Sequence, residues 1–324
     1  MMEFLQQCAP NDLTSRLKVV SLRLTFFTKY FLGRISPFHI TYPKEPRSCN
    51  SRFIIALWLI ASSKPMSMTA VIDLATKLDA QLSVAIGALQ ISAPNILSSG
   101  LVDGLITAEN NRTEDSAAAA LERITQVTSN SGLIVHAEIL KGNFDLIKSR
   151  CAVRARMHGL VFAENGIAGE FLGGSLIEPL PFESGRPVLI VPNGYSSAVT
   201  VDQVLIAWDG STSAARAVWD SIPLLRLAKT IEIVTVTGEK ELQDVPAANT
   251  LAPLLSYLGK TVTVTVLTYE RNSVAGLIKD HAAQIGAGLI VQGAYGRSRW
   301  SELILGGVTR EMLHDNTLPV LMSH

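Results

Sequence analysis

The sequence has few cysteines, no excess charge and no long apolar run, and each of these absences excludes a class of protein. Its three cysteines, Cys8, Cys49 and Cys151, lack CxxC spacing, which favours free thiols in a reducing compartment and predicts a cytoplasmic location. Basic and acidic residues number 28 each, so no overall charge favours nucleic acid as a partner. No stretch reaches the roughly 18 apolar residues of a membrane span, so no transmembrane segment is predicted.

What the sequence does contain is a regular alternation of strand-like and helix-like segments. From Gln203 onward, short apolar runs alternate with segments whose apolar residues recur at helical spacing. This alternation indicates βαβ units and a parallel sheet. In such a sheet a ligand binds beyond the carboxyl ends of the strands, where the strand order reverses. Asp209 follows one predicted strand and Gly293 ends another, so we expect both at the same edge of the sheet.

The same layout occurs twice, which divides the chain into a first half, residues 53–192, and a second half, residues 201–324. The closing phrase Pro187-Val-Leu-Ile190 matches Pro319-Val-Leu-Met322, and such self-similarity predicts duplication of a whole domain. Residues 1–52 differ, because basic residues outnumber acidic ones there and aromatic residues lie between them. Two interpretations stay open, a poorly ordered extension or a basic amphipathic segment that touches anionic lipid, and the composition favours the extension.

Glycines cluster between the end of a predicted strand and the start of the last helix. Gly293 and Gly296 follow an apolar run, and Gly306 and Gly307 precede the helix that contains Val308. Glycines let backbone N–H groups approach an anion, and a helix N-terminus adds unpaired donors and a partial positive charge. The pattern predicts a phosphate site and therefore a nucleotide.

These motifs resemble the universal stress protein family. The resemblance rests on Asp209-Gly-Ser211, on residues 287–296 and on Leu305-Gly-Gly-Val-Thr309, and it is strong over 201–324 and weak over 53–192. The family signature has two glycines separated by two residues and then, after nine residues, a glycine followed by Ser or Thr. Gly293, Gly296 and Gly306 match this spacing.

The resemblance implies an α/β fold of two tandem doubly wound parallel five-stranded sheets. This fold is Rossmann-like and similar to that of adenine nucleotide alpha hydrolases, with the strands of each sheet in the order 3-2-1-4-5. Family dimers pair through the last strand. Segments near Val188–Val191 and Val320–Met322 are therefore expected to pair within the chain, and a homodimer is a further expectation.

The resemblance also implies that the second half binds ATP, or ADP or AMP, in a protein of the stress response. By position, Asp209 would contact the ribose and Val236 the adenine, while the glycines and the helix start would hold the phosphates. The positions implied for the site are Ala207, Asp209, Val236, Gly293, Gly296, Gly306, Gly307, Val308 and Thr309. The site would take Mg²⁺ only together with the nucleotide.

One residue departs from the signature, because Gly307 stands where the family has Ser or Thr. Losing a hydrogen bond to a charged phosphate costs about 1.5–3 kcal/mol, which weakens binding about ten- to a hundredfold. This departure keeps open the alternative of a regulatory or interaction scaffold that binds no nucleotide. No residue is positioned as a general base and no carboxylate pair suits Mg²⁺, so we do not expect an enzyme, with slow hydrolysis of bound nucleotide left open.

The first half departs much further from the signature. Its first strand ends in Ala61-Ser-Ser63, with no acid for a ribose, and its glycines do not reproduce the signature spacing. These glycines are Gly166, Gly169, Gly173 and Gly174. We therefore expect the first half to be a degenerate copy that packs against its partner, rather than a second nucleotide site.

Overall fold

Ten strands and eight helices alternate along the described part of the chain. The computed structural model describes residues 52–60, 68–92, 100–165, 177, 180–192, 194–238, 248–269, 273–294, 307–314 and 316–324. The predicted extension, except for its last residue, lies outside these residues, as do residues 61–63 and the four first-half glycines. Every element described below belongs to one unit, Ser48–His324.

The elements of the two halves follow each other in the same alternating pattern. The first half contains β1 (Arg52–Ile60), α1 (Met68–Lys77), β2 (Ala80–Leu89), α2 (Gly100–Thr128), β3 (Val135–Gly142), α3 (Phe144–Ala155), β4 (Leu160–Glu164), α4 (Leu180–Ser184) and β5 (Val188–Val191). The second half contains β6 (Gln203–Ala207), α5 (Thr212–Leu225), β7 (Thr230–Thr237), α6 (Ala248–Ser256), β8 (Thr261–Thr268), α7 (Val274–Gln284), β9 (Leu289–Gly293), α8 (Gly307–His314) and β10 (Val320–Ser323).

The strands form a single sheet in the order β3-β2-β1-β4-β5-β10-β9-β6-β7-β8. Neighbouring strands are parallel, except that β5 and β10 pair antiparallel, with Leu189 opposite Leu321. Each half therefore has the order 3-2-1-4-5, which confirms the predicted fold class. The two five-stranded halves join edge to edge through β5 and β10, the segments expected to pair within the chain.

The register at this junction shows which residues of the two halves correspond. Val188 pairs with Met322 and Val320 pairs with Ile190, so the pairing is symmetric and Val188 corresponds to Val320. Because Val161 pairs with Val188 and Ile290 pairs with Val320, Val161 corresponds in turn to Ile290.

The burial of the strands follows their place in the sheet. The inner strands β4, β5 and β10 are buried at every residue, whereas the edge strands β3 and β8 alternate between more and less exposed positions. An inner strand of a parallel sheet is covered by helices on both faces, so it needs a continuous apolar run such as Val188–Val191.

The helices cover the sheet in two layers. Buried residues of α1, α2, α5 and α6 pack on one face, called here the first face. Buried residues of α3, α4, α7 and α8 pack on the other, the second face. Successive strand residues belong to alternate cores. Leu289 and Val291 lie in the first-face core, and Ile290 between them lies in the second-face core. The molecule is therefore doubly wound, and each helix leaves its strand toward one defined face.

Two further observations concern the thiol of Cys151 and the question of a membrane-spanning helix. Cys151 on α3 is free and buried, and burial raises the pKa of its thiol to about 12. A helix both long and apolar enough to cross a membrane does not occur among the residues described above.

Candidate functional site

The strand order reverses between β6 and β9, which lie side by side in the second half. Ile206 pairs with Val291 and Ala207 pairs with Gln292. From this point α5 follows β6 onto the first face, and α8 packs on the second face after β9. Loops that leave adjacent strands toward opposite faces open a crevice at the carboxyl ends of the strands. The structure places the predicted residues Asp209 and Gly293 at this crevice.

Asp209 lies in a tight loop between β6 and α5. Its Oδ1 accepts a hydrogen bond from the Ser211 N–H at 2.9 Å, and Gly210 between them has a φ of 72°. Ser211 then caps α5, because its Oγ accepts from the Ala214 N–H at 3.1 Å. The loop thus holds an exposed carboxylate at the start of a helix, where it can accept hydrogen bonds from hydroxyl groups of a ligand.

Gly293 ends β9 directly against the start of α5. A Cβ atom at Gly293 would lie 2.5 Å from the Ala214 nitrogen and 2.7 Å from the Ser213 Oγ. Both distances are too short for a side-chain carbon, so only glycine fits here. The close packing of strand end and helix start is therefore sufficient to explain this glycine, whether or not a phosphate approaches it.

The apolar members of the predicted site gather on the second face. Ala207, Val236 and Val308 are partly buried and pack against the same core, although they come from β6, β7 and α8. Leu267 and Val274 are also partly buried against this core. The structure thus forms an aliphatic wall near the carboxyl ends of the strands, and a flat apolar ring could pack on such a wall.

The first turn of α8 supplies backbone donors. Gly307 and Val308 begin this turn, where the first backbone N–H groups have no acceptor within the helix. Thr309 follows them and is only 4% exposed, so its side chain offers little surface to a ligand. The predicted residues Gly296 and Gly306 lie outside the described residues, as does the rest of the loop 295–306.

Hydrogen bonds from α7 fix the position of α8. The Ser273 hydroxyl donates to Glu311 Oε1 at 2.5 Å, and Lys279 Nζ lies 3.8 Å from the same oxygen. Ser273 is also the N-cap of α7, since its Oγ accepts from the Gly276 N–H at 2.9 Å. One serine therefore caps α7 and connects it to the helix that begins at the candidate site.

A second polar group connects α7 to the sheet beneath it. His281 Nε2 lies 2.7 Å from Glu232 Oε1, and the Thr265 hydroxyl donates to the same oxygen at 2.6 Å. Glu232 is buried on β7. The described residues contain no group of three or more His, Cys, Asp or Glu side chains that could hold a metal ion.

Two buried polar atoms near the crevice have no hydrogen-bond partner among the residues that the structure describes. They are Nε2 of Gln292 on β9, a residue 4% exposed, and Oγ of Ser323 on β10, a residue 1% exposed. Gln292 adjoins Ala207 in the sheet, and Ser323 adjoins Gly293. Sequence reasoning missed both residues. The available signal was a glutamine at the end of the apolar run Leu289-Ile-Val291, where another aliphatic residue would suit the core.

The position in the first half that corresponds to Gly293 carries a buried side chain. By register, Glu164 stands where the second half has Gly293, and Ala163 stands where it has Gln292. Glu164 is 5% exposed, and its carboxylate accepts a hydrogen bond from the Gly194 N–H. Burial raises the pKa of Glu164 in spite of this hydrogen bond. A carboxylate at this position opposes the binding of phosphate.

The sequence comparisons bear on the second half and, for one relative, on part of the first half as well. Residues 200–324 match the family model described as Universal stress protein family. Residues 200–324 are a universal stress protein domain. A universal stress protein of Synechocystis sp. (strain PCC 6803) is 26% identical over 224 residues, which cover 67% of this chain and 69% of that protein.

Solved structures resemble more of the chain than the universal stress protein domain alone. A universal stress protein from Archaeoglobus fulgidus superposes with a TM-score of 0.61 at 15% identity, over 83% of this chain and 97% of that one. A putative universal stress protein from Pseudomonas aeruginosa gives 0.51 at 13% identity, over 84% and 93%. These shares exceed residues 200–324, so the similarity of fold extends into the first half.

Proposed function

We propose that the universal stress protein domain binds ATP, or the related nucleotides ADP or AMP, and that this binding serves a stress response in the cytoplasm. The observation that carries the proposal is the crevice between β6 and β9. An exposed carboxylate, an aliphatic wall and a helix N-terminus surround it, and they suit the three parts of a nucleotide.

Each part of the crevice has one chemical task in this proposal. The Asp209 carboxylate accepts hydrogen bonds from ribose hydroxyls. Ala207 and Val236 pack on the adenine ring, where burial of apolar surface contributes about 25 cal/mol per Å². The first-turn N–H groups of Gly307 and Val308 donate to the phosphates, whose negative charge the helix dipole favours.

The proposal covers binding and includes no reaction. Asp209 is the acidic residue that the crevice offers to a Mg²⁺ ion carried by the nucleotide, with the phosphates supplying the other oxygen ligands.

The pairing of β5 with β10 gives the chain an internal counterpart of a dimer interface. Self-association of whole chains is a separate proposal, for which the exposed edge strands β3 and β8 are the available surfaces.

Equilibrium dialysis with ATP tests the proposal on the full chain. Asp209→Asn removes a charged acceptor, so we expect ATP affinity to fall about ten- to a hundredfold. Asp202→Asn is the matched control, because Asp202 precedes β6 at its opposite end and pairs with Lys229 on the surface. The control variant should bind ATP as the unaltered chain does. Equal affinity of all three folded proteins would contradict the assignment of Asp209.

Gly307 supports a second candidate, an interaction scaffold that binds no nucleotide. In the nucleotide-binding account, Gly307→Ser restores the missing hydroxyl and tightens ATP binding about ten- to a hundredfold. In the scaffold account, the unaltered chain and the Gly307→Ser variant both fold and neither shows saturable binding at millimolar nucleotide. The same dialysis measurement therefore separates the two functions.

A further inference from the structure

Gln292 is an unusual residue for the interior of a sheet. It lies on β9 between Ala207 of β6 and Met322 of β10, which are its neighbours in the register. Met322 is part of the second-face core, and Ala207 packs against that core. The side chain of Gln292 therefore lies on the second face between those of an alanine and a methionine, and its Nε2 has no hydrogen-bond partner among the described residues.

A buried amide without a partner destabilises a folded protein, because the group gives up its hydrogen bonds to water and gains none. The first half avoids this cost, since Ala163 stands at the corresponding position. An unpaired buried donor beside a candidate site is the expected state of a group whose partner arrives with a ligand.

The position of Gln292 indicates which part of the ligand it meets. Strand residues alternate between faces, so Gln292 shares a face with Ile290, two residues before it on β9. Ile290 belongs to the same core as Val234 on β7. Gln292 therefore lies on the face that carries Ala207 and Val236, the wall assigned to the base. The phosphate donors lie on a different element, the first turn of α8.

We propose that the Gln292 side-chain amide donates a hydrogen bond to a ring nitrogen of the bound base and thereby contributes to the choice of base. This inference rests on the proposed nucleotide site. It assigns a polar contact to a wall that is otherwise aliphatic, and a wall of that kind cannot by itself distinguish one flat ring from another.

The first test compares Gln292→Met with the unaltered chain in ATP binding and in thermal unfolding without ligand. Methionine keeps the length of the side chain and removes the donor, so ATP affinity should fall about three- to tenfold, the usual effect of one neutral hydrogen bond. The ligand-free variant should unfold at the same or a higher temperature, because an unpaired buried donor has been removed. Gln292→Leu serves as a second variant with the same expectation.

Thr235→Val is the matched control. Thr235 Oγ1 is also buried without a partner in the described part of the chain, but Thr235 follows Val234 on β7 and so points to the first face, away from the proposed base. This variant should show no loss of ATP affinity. A large loss of stability in both Gln292 variants would show that the amide has a structural partner and would overturn the inference.

The second test identifies the ring nitrogen with 1-deaza-, 3-deaza- and 7-deaza-ATP, each of which lacks one acceptor. One analogue should bind the unaltered chain more weakly than ATP, and that analogue should bind the Gln292→Met variant as well as ATP does. Equal affinity of the unaltered chain and the variant for ATP would refute the role of Gln292 and leave the nucleotide site intact. A weaker variant without coupling to any analogue would refute the contact with the base. Absence of all binding would refute the nucleotide site and the inference together.

Discussion

At the scale of single residues, the difference between the two halves is concentrated at one register position. Gly293 in the second half allows β9 to end against the start of α5, and Glu164 in the first half fills the corresponding place with a buried carboxylate. The neighbouring position holds Gln292, whose Nε2 has no partner among the described residues, in the second half and Ala163 in the first. One half thus presents glycine and unpaired donors, whereas the other presents a side chain that repels anions.

Replacement of Gly293 by alanine should destabilise the fold. The added Cβ would press on backbone and side-chain atoms of α5 that cannot move independently, and such overpacking costs about 1–3 kcal/mol. Gly104→Ala is the control, since a Cβ there meets nothing within 4 Å; this change in the interior of α2 should stabilise by about 0.5–1 kcal/mol. Chemical denaturation of both variants measures the difference. A Gly293→Ala chain as stable as the unaltered protein would show that the strand end can move away from α5.

Glu164→Gln should change how stability depends on pH. Because burial raises the pKa of Glu164, the folded protein holds this proton more firmly than the unfolded chain does. Stability of the unaltered protein therefore falls as the pH rises above the ordinary glutamate value of 4.5. Glutamine keeps an acceptor for Gly194 and has no charge, so the variant should be the more stable protein at pH 7.

The measurement is thermal unfolding of both proteins between pH 4 and pH 8. The advantage of the glutamine variant should shrink as the pH falls toward 4.5 and the Glu164 carboxyl becomes protonated in both states. An advantage that stays constant over this range would mean that the charge of Glu164 is not responsible for it.

At the scale of elements, the corresponding helices α3 and α7 have different N-cap residues, and each N-cap side chain accepts a hydrogen bond from a backbone N–H of the first turn. Asn143 Oδ1 accepts from the Leu146 N–H at the start of α3, and Ser273 Oγ accepts from the Gly276 N–H at the start of α7. Ser273 also donates to Glu311 on α8. The cap of the second half therefore has a second role, because it determines where the helix of the candidate site lies.

Loss of either cap should lower stability by a similar amount. Asn143→Ala and Ser273→Ala each remove one N-cap, and each should cost about 1 kcal/mol. Ser256→Ala is the control, since the exposed Ser256 hydroxyl donates only to a carbonyl within its own helix; its effect should stay within about 0.5 kcal/mol. Denaturant titration compares the three variants. Only Ser273→Ala should also weaken ATP binding, and equal ATP affinity of the two cap variants would contradict its role in positioning α8.

The elements that sequence could predict were those with a local signal. The alternation of apolar runs, such as those of β6 and β9, with helical segments predicted parallel βαβ units. The family resemblance implied the strand order within each half, and the structure confirms both. The unpaired state of Gln292 and Ser323 has no local signal, because it depends on which side chains from β6, β10 and the helices surround each residue. The correspondence of Glu164 with Gly293 likewise emerged only from the register of β4 and β9 with their neighbours.

At the scale of the whole molecule, the antiparallel pairing of β5 with β10 makes one sheet from two similar halves. Leu189 and Leu321 face each other at the junction and are fully buried. A further contact crosses between the halves, since Asn165 Nδ2 donates to Asn316 Oδ1 at 2.7 Å and also to the Leu313 carbonyl at the end of α8. The first half therefore supports the helix that begins at the site of the second.

In the proposed account, the first half contributes to the molecule without binding a nucleotide. It completes the sheet on the far side of β10 and contacts the end of α8 through Asn165, while the Glu164 carboxylate opposes phosphate at its own strand ends. The account therefore requires one nucleotide site in each chain, formed by residues 200–324.

The stoichiometry of ATP binding to the purified full chain, measured by titration calorimetry, tests this claim most directly. The account predicts one saturable site per chain, weakened about ten- to a hundredfold by Asp209→Asn and left unchanged by Asp202→Asn. Two equivalent sites per chain would contradict the exclusion of the first half. No saturable binding by the folded protein at millimolar ATP would contradict the nucleotide site itself.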